Sequence, residues 1–199
     1  VGGYCVAGNA AIAGCADVII ATKDSSMGMG GPAMIEGGGL GQFHPKDIGP
    51  AKTLAKKGVI DILVADEVEA VAVAKKYLSY FQGEIKQCKA PKQEALYDIL
   101  PEDRRYAYDI TAIINTIADV DTVLELRAQF AKNMVTALIR IEGKPYGIIA
   151  NSTRHLGGAI DSYAADKAAR FLQLCNAFNL PVISLCDTPG FMVGPEHEA

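Results

Sequence analysis

The sequence predicts an α/β protein, and three observations carry that expectation. Short apolar runs alternate with segments of helical periodicity along most of the 199 residues. A glycine-rich turn opens a helix built from small residues, and Glu142-Gly143-Lys144-Pro145 lies between two apolar runs as a β-hairpin turn. Half of the residues are apolar, so the chain can bury a substantial core, as one large domain or two small ones.

In chain order, Val1-Gly2-Gly3-Tyr4-Cys5-Val6-Ala7-Gly8 reads as a tight turn entering a helix that ends near Asp17, before a strand at 18–21. The first amides of such a helix have no intrahelical acceptor and carry partial positive charge, so an oxygen gaining negative charge can rest there. Small residues let a ligand carbonyl approach the Ala7 and Gly8 N–H groups, which makes the turn a candidate oxyanion hole. The same residues would equally suit a close helix–sheet contact.

A short strand then ends near Met29, with Gly30-Gly31 beside the substrate region and Pro32 starting a helix. Residues 36–41 form a glycine-dense loop that lacks the Lys-Ser/Thr of a phosphate-binding loop. A helix over 46–57 must start or break at Gly49-Pro50, and a strand spans 59–65. Asp66 caps a helix running to Phe81, with Val68, Val71, Ala72, Ala74 and Leu78 at apolar positions.

Residues 82–105 turn polar and lose apolar periodicity, as a linker would. A helix is expected over 106–119, then a strand at 123–126 and the hairpin strands at 136–141 and 146–150. After a Gly157-Gly158 loop, Asp161 or Ser162 starts a helix to Phe178 whose face is read as Ala165, Ala168, Ala169, Leu172, Cys175 and Phe178. A buried strand at 181–186 ends in the turn Asp187-Thr188-Pro189-Gly190-Phe191, at the strand edge where α/β folds gather ligands.

Composition excludes several classes. The net charge of −4 with mixed signs leaves no nucleic-acid footprint, and no apolar run reaches the ~20 residues of a membrane span. A cytoplasmic location is expected. Five cysteines without CxxC or Cys/His spacing read as reduced core thiols, four of them in apolar segments, and no metal site is expected. No nucleophile elbow or Ser/His/Asp order is present. His44 and His155 lie in loops, Lys23 is read as solvated, and Asp187 as a turn residue rather than a catalyst. The chain starts within a motif and reads as a piece of a longer frame.

Two segments resemble the carboxyltransferase subunits of biotin-dependent acyl-CoA carboxylases. The more specific runs from Tyr146-Gly147-Ile148-Ile149-Ala150-Asn151 through Gly157-Gly158-Ala159-Ile160-Asp161, Asp166-Lys167-Ala168-Ala169-Arg170-Phe171 and Cys175-Asn176-Ala177-Phe178 to Asp187-Thr188-Pro189-Gly190-Phe191. The other, Gly3-Tyr4-Cys5-Val6-Ala7-Gly8-Asn9-Ala10 to Cys15-Ala16-Asp17, is also similar to the wider crotonase superfamily.

The resemblance implies parts of two tandem crotonase-like ββα-spiral domains: residues 1–81 as the rear of an acyl-CoA-binding domain, 82–105 as linker and 106–199 as the front of a biotin-side domain. It implies transfer of a carboxyl group from carboxybiotin to the α-carbon of an acyl-CoA, with Ala7 and Gly8 as backbone donors to the thioester oxygen. The family often has Gly-Gly where this chain has Ala-Gly. Gly3, Gly30 and Gly31 fall on the substrate side, and Gly157, Gly158, Pro189, Gly190 and Phe191 on the biotin side. Implied partners are a biotin carboxyl carrier and biotin carboxylase, as subunits or domains, and further copies of the chain in a hexamer. Three other readings stand beside it: a biotin-dependent decarboxylase, a crotonase-type hydratase or isomerase without an evident Glu acid/base, and an inactive truncated chain.

Overall fold

The computed structural model describes residues 1–103 and 106–197. The last two residues of the expected linker and the last two of the chain lie outside them. The chain divides into two compact units, Val1–Lys75 and Lys76–Ala199.

In the first unit the strands are dealt alternately to two small parallel sheets. β1 (Tyr4–Val6) pairs with β3 (Ser26–Gly28), and β2 (Ile20–Thr22) pairs with β4 (Ile62–Val64). Between them run α1 (Gly8–Gly14), α2 (Pro32–Gly37) and α3 (Ala51–Lys56). Parallel pairing requires a crossover between the paired strands, which includes α1 for β1 and β3 and α2 and α3 for β2 and β4. Ala10, Ile19, Ala21, Met27, Ala51, Ala55 and Ile60 form the core, and its many alanines let helix and sheet backbones approach closely. Pro50 stands just before α3, so Gly49-Pro50 breaks the expected 46–57 helix into a Pro45–Asp47 turn and α3.

α4 (Glu67–Ser79) begins where expected. The Glu69 N–H donates to Asp66 Oδ1 at 2.9 Å, and the Ala65 N–H donates to Glu69 Oε2 at 2.6 Å. Its expected core face is exposed instead: Val68 is 80% accessible, Val71 and Leu78 are exposed, and no residue of α4 is buried. Helical spacing defines a face but does not supply its partner, and the described residues leave this one uncovered.

In the second unit a 3₁₀ turn at Gln93–Ala95 leads into α5 (Leu96–Ile99), followed by α6 (Ile110–Ile117). The helix expected from 106 starts at Ile110 because Asp109 caps it, its Oδ1 accepting from the Thr111 N–H at 3.0 Å. β5 (Leu124–Leu126), β6 (Met134–Ile141), β7 (Lys144–Asn151) and β8 (Val182–Leu185) form one sheet in that order. The first two pairs are antiparallel, and β8 joins β7 in parallel through α7 (Ser162–Ala177).

The hairpin register, Ile141 opposite Lys144, leaves a two-residue turn in which Glu142 (φ 51°) and Gly143 (φ 78°) are both left-handed. Its two amides donate to the buried Asp119 carboxylate, Glu142 at 3.1 Å and Gly143 at 2.7 Å. Seven of the eight β6 residues are buried because helices cover both faces. Val135, Ala137 and Ile139 meet Ile110 and Ile114 of α6, while Gly147 on the other face backs onto Phe171 and Cys175 of α7.

Three expectations shift here. The buried stripe of α7 is Ala164, Lys167, Phe171, Leu174 and Cys175, whereas Ala165, Ala169, Leu172 and Phe178 are exposed. The expected apolar face leaves out Lys167, which belongs to the buried stripe. Its amine is in fact buried and donates to the Phe130 carbonyl at 2.9 Å. β8 is not a buried strand but alternates exposed and half-buried residues at the sheet edge. Of the five thiols only Cys175 is in the core, with Cys15, Cys88 and Cys186 exposed.

Candidate active site

The first cluster forms where β1 and β3, being parallel, end side by side. The Ala7 N–H continues the ladder by donating to the Gly28 carbonyl at 3.1 Å. The chain then turns sharply, with Ala7 at φ 52°, ψ −124°, a conformation that costs an L-residue about 1–3 kcal/mol. Gly8 and Asn9 are exposed and their N–H groups have no acceptor among the described residues. Of the two expected donors, Ala7 has its hydrogen engaged by Gly28, whereas the Gly8 N–H has no acceptor among the described residues.

Gly31 caps α2 ahead of Pro32, and a Cβ there would lie 3.8 Å from Val6 Cγ2, so Gly30-Gly31 joins Ala7 and Gly8 at this strand end. Gly3 does not. It precedes β1, and its carbonyl accepts from the Ser26 N–H at 2.9 Å, about 13 Å of extended chain from Ala7. His44 Nδ1 accepts from the Lys46 N–H at 3.1 Å and caps the turn at Pro45–Asp47. Lys23 and His155 are exposed.

The second cluster lies at the carboxyl end of β8. Gly158 has φ 82°, and a Cβ on it would stand 2.6 Å from the Asp187 carbonyl, so the two loops touch through bare backbone. The Ile160 N–H donates to the Gly190 carbonyl at 3.0 Å and the Met192 N–H to the Ile160 carbonyl at 2.8 Å. Gly157, Gly158, Pro189, Gly190 and Phe191 are therefore brought together. A Cβ at Gly157 or Gly190 would meet nothing within 4 Å, and Phe191 is 74% exposed.

The sequence reading missed the side chains that fasten this cluster. Tyr108 Oη donates to Asp187 Oδ2 at 2.7 Å, the Asp187 N–H donates to Asn151 Oδ1 at 3.3 Å, and Asn151 Nδ2 donates to the Gly158 carbonyl at 3.2 Å. Burial, then the Asp187 carboxylate, push the Tyr108 hydroxyl up to about 12, so it stays a donor at neutral pH. A cavity of about 670 Å³ opens beside this pair, lined by Leu100, Pro101, Glu102, Tyr106, Tyr108, Cys186 and Asp187. No periodicity marks Tyr108. A tyrosine just before the Asp109 cap was the available signal.

The carboxyl transferase domain family matches residues 1–199. The chain belongs to that family. It is 34% identical over 208 residues to the methylmalonyl-CoA carboxyltransferase 12S subunit of Propionibacterium freudenreichii, covering 100% of this chain and 40% of that one. It is 33% identical over 201 residues to the biotin-dependent acetyl-/propionyl-coenzyme A carboxylase beta6 subunit of Mycobacterium tuberculosis, covering 98% and 42%.

Among solved structures, a single-chain, multi-domain long-chain acyl-CoA carboxylase aligns over the whole chain with a TM-score of 0.97 and 58% identity, covering 20% of that protein. A transcarboxylase 12S hexamer aligns with a TM-score of 0.85 and 33% identity, covering 40%. The chain thus spans about two fifths of the length of these curated relatives. The neighbours are carboxyltransferase domains with the crotonase-like fold, which agrees with the fold expected from the two motif segments. Among the described residues no helix is long and apolar enough to cross a membrane, and no cluster of His, Cys, Asp or Glu could hold a metal ion.

Proposed function

We propose that the chain is part of the carboxyltransferase component of a biotin-dependent acyl-CoA carboxylase, which moves a carboxyl group from biotin to the α-carbon of an acyl-CoA. Residues 1–81 form the acyl-CoA side, 82–105 the linker and 106–199 the biotin side. The observation that carries the reading is the Gly8 amide: on an exposed residue, without an acceptor among the described residues, and directly after the bend at Ala7. A thioester α-carbon becomes nucleophilic only as its carbonyl oxygen takes on enolate charge, and a fixed N–H donor stabilises that charge. Gly8 supplies the donor, Ala7 holds the bend, and Gly30-Gly31 leaves room for the thioester. None of these residues is an acid or base, so this turn contributes charge stabilisation and shape rather than a proton acceptor.

Biotin, delivered on a carrier protein or domain, supplies the transferable carboxyl group when bound. The second cluster fits a flat, neutral ring system: the backbone is open at Gly157 and Gly190, and Phe191 presents an exposed apolar face. Gly157, Gly158, Pro189, Gly190 and Phe191 would hold it. The 58% identity to a long-chain acyl-CoA carboxylase favours long-chain acyl-CoA as substrate. A biotin carboxylase, the carrier and further copies of the chain are the partners.

The test is carboxyl loss from malonyl-CoA, methylmalonyl-CoA and a long-chain 2-carboxyacyl-CoA by the full reading frame, with and without free biotin. Biotin-dependent loss, fastest on the long chain, is expected. Hydration of an enoyl-CoA without biotin, and no biotin-dependent loss, would overturn the reading.

A further inference from the structure

We infer that Tyr108 is a positioning residue for the biotin side, acting through Asp187 to lock the Gly157-Gly158 and Pro189-Gly190 turns into one floor. The inference rests on the carboxyltransferase reading for its ligand, but its geometry stands separately. Four contacts carry it. Tyr108 Oη fixes the Asp187 carboxylate at 2.7 Å, and the Asp187 amide reaches Asn151 Oδ1 at 3.3 Å. Asn151 Nδ2 holds the Gly158 carbonyl at 3.2 Å, and the Ile160 amide holds the Gly190 carbonyl at 3.0 Å.

Tyr108 is itself held from behind, since its N–H donates to Thr153 Oγ1 at 3.3 Å on the loop that leads to Gly157. Tyr108 therefore ties two loops together, its N–H holding one and its hydroxyl the other, beside the single β-bridge between Ile160 and Phe191. Asn151 is buried, whereas Tyr108 and Asp187 border the 670 Å³ cavity, so this link is the solvent-facing end of the chain of contacts. Polar bonds at such an end are the first to open when one partner is lost.

Tyr108 belongs to the second unit, and the proposed thioester donor to the first. Losing its hydroxyl should loosen the floor without altering the donor at Gly8. The effect belongs in the Michaelis constant for biotin and not in that for acyl-CoA.

The experiment uses the full reading frame in the biotin-dependent carboxyl-loss assay, together with amide hydrogen exchange. In Tyr108→Phe, exchange in peptides spanning 152–160 and 186–192 is expected to rise, and KM for free biotin to rise about five- to tenfold. kcat and KM for acyl-CoA should stay within about twofold. Asp187→Ala should raise KM for biotin as much, and the double variant no further, because both break one link. Unchanged exchange in Tyr108→Phe overturns the inference. So does raised exchange with unchanged KM for biotin, or a parallel rise in both Michaelis constants, which marks a merely structural residue. Failure of the underlying reading shows separately, as wild-type protein without biotin-dependent activity.

Discussion

The Ala7 N–H donates to the Gly28 carbonyl at 3.1 Å. This one bond ends the β1–β3 ladder, forces the turn at Ala7 and leaves Gly8 as the next unpaired donor. In the proposed site Ala7 is therefore the hinge and Gly8 the donor.

An alanine at φ 52°, ψ −124° holds this hinge under strain that glycine would not feel. Ala7→Gly is expected to stabilise the protein by about 1 kcal/mol, because relief of strain exceeds the entropy cost of glycine. Chemical denaturation measures it, and carboxyl loss should persist because Gly8 keeps its place. A destabilised variant would mean that the Ala7 methyl packs usefully where the bend now places it.

Arg140 on β6 carries a second prediction. It is buried, lies 5.3 Å from the centre of the Tyr80 ring, and donates to the carbonyls of Ser79, Gly83 and Gly143. Arg140→Met keeps most of the volume but removes three charge-assisted hydrogen bonds, and although Ser79 and Gly143 still accept from the Gln82 and Ile85 amides, it should cost about 3 kcal/mol in denaturant unfolding. A cost under about 1 kcal/mol would show that water replaces the guanidinium.

Lys167 gives a pH prediction. Burial lowers its amine to about 8, with Glu125 opposing the shift. A folded-state value below the unfolded 10.5 means the unfolded chain holds more protons between the two, so this group's contribution to stability grows as pH rises from 8 towards 10.5. Between pH 7.5 and 9.0 that gain is about 1 kcal/mol in the wild type. Lys167→Met should lack it. Equal pH dependence in both proteins would place the amine in solvent.

These residues also show where the sequence was readable. Pro32, Pro50, Asp66 and Glu142-Gly143 each impose local backbone chemistry, and the elements they start or join fall where expected. The α7 stripe was misplaced because Lys167 is charged in sequence but buried in the fold, its polar end met by a carbonyl 37 positions away. Asp119, Arg140 and Tyr108 act through partners equally remote in the chain, so no local pattern announces them. The glycines of both clusters were legible as residues that keep backbone accessible. That Gly3 falls at the other end of β1 from Gly8 follows from strand direction, which spacing alone does not give.

The most direct test of the central claim is carboxyl loss by Gly8→Val in the full reading frame. A Cβ at Gly8 meets nothing within 4 Å, so the variant should fold and melt like the wild type while its side chain covers the donor. Unchanged unfolding with a fall in kcat of about 10²–10³, the usual cost of losing one oxyanion donor, is expected. Wild-type turnover by a folded Gly8→Val protein would remove this turn from the active site and contradict the account.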